Sequence, residues 1–220
     1  MVITKEQQDA IADYLAEHYI PAGFGIDPIV AINLALTGEC TNKIPACMSE
    51  VVGRWIVVVQ DAMPDDIRNG ERWKALLPLA AGTGREHERE RMDIILDWMW
   101  SVVLPDRQAV ADARGFGDEW RTMCTERTEA AAKVVTGAVW VTNAGRAAAD
   151  TADAAWAAAR DAAKNAKRGT AEAVAWAAAN AIAWAAAGAA GAAADAARAA
   201  AWERYDPCGL LERLIKVRRT

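Results

Sequence analysis

The side chains able to do chemistry are few and scattered. Asp93 and Asp97 stand four residues apart, a helical spacing that puts both carboxylates on one face, and Arg89 lies one turn before them. Paired carboxylates can divide acid and base roles between them. An arginine one turn away makes a surface ion-pair stripe the simpler reading. His18 and His87 are the only histidines, which leaves few ways to assemble a Ser-His-Asp or Cys-His nucleophile. His87 sits in the charged run REHERER and is expected in solvent. Cys40 and Cys47 are too widely spaced, and without a second pair, for the usual tetrahedral zinc pattern. Cys124 follows Trp120 by one helical turn and reads as a core thiol. Gly82-Thr83-Gly84-Arg85 precedes a helix start and could hold an anion, but no strand precedes it and it has no Walker lysine. No catalytic, cofactor-binding or metal-ligating residue is assigned, no cofactor is expected, and the chain is not read as an enzyme. An enzyme with an unrecognised acidic site around Arg89, Asp93 and Asp97 is kept as an alternative.

Composition narrows the partners. The 220 residues carry 25 basic and 30 acidic side chains, for a net charge of −5. A sequence-independent nucleic-acid binder normally presents a basic face, so no nucleic acid is expected. Four scattered cysteines do not make a disulfide framework. The opening MVITKEQQDAIADYL lacks the apolar core of a signal peptide. The expectation is a soluble cytoplasmic protein.

The elements that would position these groups read as helices throughout. Thr4 to Tyr19 has helical periodicity, with Ile11, Leu15 and Tyr19 on one face and Thr4 with Gln7 as a capping box. Asp27-Pro28 starts a second helix, which Gly38 ends. Pro45 to Met63 is a strongly apolar helix around WIVVV, and PDDIRNG (Pro64 to Gly70) is a turn cluster. Glu71 to Ala81 is helical. Thr83 to Glu86 reads as a second capping box, opening a helix whose pairs Glu86–Arg89 and Glu88–Arg91 lie on a solvated face. That helix turns apolar at Ile94 and stops at Leu104-Pro105. Gly115 and Gly117 precede another helix from Asp118.

From about Glu129 to Ala201 alanine dominates, and AWAAA occurs three times, beginning at Ala155, Ala175 and Ala183. Alanine has the highest helix propensity. Lys167-Arg168-Gly169-Thr170 breaks the run, which gives two long arms of a hairpin, the first with a kink near Asn143 to Gly145. Trp156, Trp176, Trp184 and Trp202 would supply most of its buried area. Leu210, Leu211, Leu214 and Ile215 form a short amphipathic helix able to clamp it. The expected fold class is all-α: an N-terminal helical bundle (residues 1–125) with a long alanine-rich C-terminal helical hairpin packed on it (residues 126–220), as one continuous fold. Ala173 to Ala194 has one polar side chain, Asn180, and is long enough to span a bilayer. Alanine lies near zero on insertion scales, so a membrane span is not expected.

The segment WKALLPLAAGTGREHERERMDIILDWMWSVVLP (Trp73 to Pro105), followed by RGFGDEWRTM (Arg114 to Met123) and closed by DPCGLLERLIKV, resembles the immunity-protein family of actinobacteria and their phages. The likeness runs from about Ile44 to Val217, and LLPLAAGTGR with DWMW is its most specific part. It implies an alanine-rich helical protein that neutralises a toxin or excludes a competing phage by binding. It names no catalytic residues. The leading expectation is therefore a non-enzymatic protein-binding protein that sequesters or blocks a toxin, host or phage protein. A membrane-associated helical hairpin is the other alternative. Exposed tryptophans are the expected contact surface, since aromatics dominate interface energetics. A long alanine hairpin can also pair with itself, which makes a homodimer a further expectation.

Overall fold

The computed structural model describes residues 3–21, 28–113, 115–127, 130–131, 134–135 and 200–217. Among these the protein is all-α, with helices and turns and no strand. Several expectations lie outside the described residues: the Asp27 cap, the alanine arms with their AWAAA segments and breaks, Ala173 to Ala194, and Trp156, Trp176 and Trp184. The docking of the hairpin lies outside them too.

Contacts divide the chain into two compact units, one of residues 1–91 with 206–220 and one of residues 92–205. The composition-based partition at residue 125 follows the rise in alanine. The contact-based one interleaves the chain.

The first unit contains α1 (Lys5–Glu17), α2 (Pro28–Thr37), α3 (Glu50–Ala62), the single turn α4 (Asp65–Arg68) and α5 (Glu71–Ala81). The start of α6 (Glu88–Trp98) also belongs to it. Thr4 caps α1 with both halves of the expected capping box in place. Ile11 and Leu15 are buried, but Tyr19 is 60% exposed. The helix ends at Glu17, so Tyr19 leaves the apolar face and donates its hydroxyl to Asp65 at 2.8 Å. Gly38, in the left-handed region at φ +74, follows α2 as expected. The helix expected from Pro45 starts five residues later, because Ser49 takes the capping position and accepts from the Val52 N–H. Trp55 on α3 and Trp73 on α5 are fully buried, with ring centroids 5.9 Å apart and tilted, an arrangement worth about 1 kcal/mol beyond area burial.

The last helix among the described residues, α9 (Pro207–Lys216), belongs to the same unit. Asp206 caps it, accepting from the Gly209 N–H, and Pro207 stands at its first position. Its buried face of Leu210, Leu211, Leu214 and Ile215, expected to clamp the hairpin, is seated on α5 and α3. Arg72 fastens it from outside with ion pairs to Asp206 (2.8 Å) and Glu212 (3.0 Å).

In the second unit α6 passes at Met99 into a π-helical turn (Met99–Val103), then a 3-10 turn (Pro105–Arg107), α7 (Gln108–Ala113) and α8 (Gly117–Glu126). The Leu104 N–H bonds the Met99 carbonyl, five residues back. Trp98, Met99 and Trp100 are consecutive and all buried. Residues 200–205 are helical. They are tied in by Trp98 Nε1 donating to the Tyr205 carbonyl (2.8 Å), by the Tyr205 hydroxyl donating to Asp106 (2.8 Å), and by Arg204 against Asp106 (2.9 Å).

Candidate functional site

The most distinctive sequence motif, GTGREHERER after α5, builds a polar knot inside the first unit. Thr83 is buried, and its Oγ1 donates to the Ala80 carbonyl at 2.7 Å and accepts from the Ser49 N–H at 2.9 Å. The expected capping box is therefore wrong. Thr83 belongs to the end of α5 and to Ser49, and α6 begins only at Glu88. Gly84 (φ +65) and His87 (φ +63) both turn the chain through left-handed backbone on the way. The Gly84 N–H reaches the Cys47 carbonyl at 2.8 Å.

Arg91 was expected in solvent and is fully buried instead. Its guanidinium donates to the carbonyls of Thr83 (2.8 Å), Gly84 (3.2 Å), Glu86 (2.6 Å) and Leu214 (3.1 Å). Five fixed N–H donors suit such a fan of carbonyls, which a lysine could not serve. The solvated-face reading also fails for Glu88. Its carboxylate accepts from the Ser49 hydroxyl (2.5 Å) and from the N–H groups of Glu50 (2.7 Å) and Val51 (3.4 Å). A carboxylate at a helix N-terminus satisfies orphan donors and the helix dipole together. The place at the start of α3 that an anion would seek is thus filled by the chain's own side chain.

The other singled-out residues do not converge. Arg89, Asp93 and Asp97 are all exposed. Asp97 pairs with Arg127 at 3.2 Å and accepts from Ser101 Oγ at 3.2 Å. His87 is exposed and 3.4 Å from Glu90. His18 stacks on Tyr14 with ring centroids 4.0 Å apart. Cys40 is exposed while Cys47 is buried, and burial pushes the Cys47 thiol up. The Cys124 thiol is pushed up to about 11, again by burial, with Arg127 pulling the other way. Among the described residues no cluster of His, Cys, Asp and Glu could hold a metal ion. Among them, too, no helix is long and apolar enough to cross a membrane. The expected tryptophan contact surface is not found among the described residues: Trp55, Trp73, Trp98, Trp100, Trp120 and Trp202 are all buried.

A second knot, which sequence reasoning did not foresee, lies in the turn after α3. Arg68 is buried and donates to the carbonyls of Ile20 (3.0 Å), Gln60 (3.1 Å) and Met63 (2.7 Å), and it pairs with Asp65. Asn69 grips the backbone of the same residue, accepting from the Ile20 N–H at 2.8 Å and donating to the Ile20 carbonyl at 3.1 Å. The only available signal was an arginine in a turn cluster flanked by apolar helices.

No protein-family model matches this chain, and no curated protein or solved structure matches it either.

Proposed function

We propose that this chain works by binding a partner protein and blocking or sequestering it, as an immunity protein or a phage–host conflict protein of actinobacterial type. The observation that supports this is where the polar residues of the resembling motif are committed. Thr83, Glu88 and Arg91 are bound to the backbone of their own unit. A motif used in this way makes a stiff scaffold, and a surface ordered before association loses less entropy on binding. The net charge of −5 favours a protein partner over nucleic acid. Action in the cytoplasm and self-association into a homodimer belong to the same proposal.

The test is capture with the full chain under native conditions, followed by reconstitution of any captured protein from purified components. Size-exclusion chromatography with light scattering reads the result. A complex of defined stoichiometry supports the proposal. Recovery of no protein that reconstitutes, from producing and competing strains alike, counts against it.

A further inference from the structure

We infer that Asn69-Gly70 is a deamidation site which the native fold holds closed, so that the modification records unfolding. It is the only Asn-Gly pair in the chain. In such a pair the unhindered glycine nitrogen, after losing its proton to base, attacks the asparagine Cγ. The N–Cγ bond forms, the Cγ–Nδ2 bond breaks, and ammonia leaves. Water then opens the cyclic imide at either carbonyl and gives aspartate or isoaspartate. Water is the only co-reactant.

The structure keeps the pair and also restrains it. A Cβ at position 70 would sit 2.8 Å from the Asp66 carbonyl oxygen, a backbone atom that cannot swing aside, so glycine is required there. The Gly70 N–H donates to the Ile67 carbonyl at 3.1 Å, which opposes loss of its proton. The Asn69 amide is engaged at both ends: Oδ1 accepts from the Ile20 N–H, and Nδ2 donates to the carbonyls of Ile20 (3.1 Å) and Asp65 (3.3 Å). Attack at Cγ requires these bonds to open. In the aspartate product an anionic oxygen replaces Nδ2 and faces two carbonyl oxygens. Arg68, the nearby cation, is already engaged with Ile20, Gln60, Met63 and Asp65. In isoaspartate the main chain is lengthened by one carbon, and the grip on Ile20 loses its geometry.

The test incubates the full chain in mildly alkaline buffer with and without urea and follows position 69 by peptide mapping and isoaspartate detection. The folded chain should react slower by roughly tenfold or more, since reaction must wait for local opening. Equal rates would overturn the inference. The chain aged in urea is then refolded and fractionated. Its folded fraction should be depleted in modified Asn69, and equal modification in the folded and unfolded fractions would overturn the claim about the product. The full-length Asn69→Asp variant should melt several degrees below wild type, and an unchanged melting temperature would count against that claim too.

Discussion

Two loops of the first unit solve one problem at different scales. The turn after α3 and the loop after α5 are each closed around a fully buried arginine. Burying an unpaired guanidinium would be prohibitive, and in both places backbone carbonyls receive it. Arg68 serves carbonyls at Gln60 and Met63, at the end of α3, plus Ile20, and it keeps an exposed carboxylate partner in Asp65. Arg91 serves three carbonyls of its own loop and a fourth, Leu214, that lies 123 residues away along the chain. The first knot ties its turn to the segment after α1, 48 residues back; the second ties its loop to α9, 123 residues on. A buried arginine acts here as a backbone fastener, and its importance follows what else can satisfy the carbonyls it serves.

Removing each fastener tests that ordering. Arg91→Ala strands four carbonyls, three of them in buried hydrogen bonds, and should cost about 3–4 kcal/mol of stability by denaturant melting. Arg91→Lys should recover little of this, because one ammonium cannot reach the fan. Arg68→Ala should cost less, about 2–3 kcal/mol, because Asn69 still donates to the Ile20 carbonyl. Equal losses at the two sites would break the comparison. Glu88→Gln replaces one acceptor oxygen by a donor facing the start of α3 and should cost about 1–2 kcal/mol. A different, pH-dependent effect lies in the second unit. Cys124 has a folded pKa of about 11 against 9.0 for the free thiol. The unfolded chain therefore ionises first, and Cys124's contribution to stability is full below 9.0 and lost as pH rises to about 11. Cys124→Ala should flatten that part of a pH–melting curve.

The same two loops show what the sequence discloses. PDDIRNG is legible as a turn because proline, aspartate and asparagine act on their own neighbours. The Thr83 to Glu86 stretch misleads because its local pattern, a capping box, competes with a partner remote in sequence. Ser49 is 34 residues away and takes the Thr83 hydroxyl. Helices with a one-sided apolar pattern, such as α1 with its Thr4 cap and α5, are read within a residue or two. The π-helical turn is harder. Trp98, Met99 and Trp100 all need burial, and three consecutive large side chains cannot share one face of an α-helix. An extra residue in the turn rearranges them. The burial of all six described tryptophans follows from tertiary packing, which no count of residue types reveals.

The bond from Arg91 to Leu214 also sets a schedule for synthesis. A ribosome must add 123 residues after Arg91 before that acceptor exists, on the order of ten seconds at ordinary elongation rates. Throughout that interval the nascent chain holds α3 and α5 without the α9 leucines that cover them, and a buried-type guanidinium one acceptor short. The newborn polypeptide should therefore engage chaperones until α9 leaves the exit tunnel.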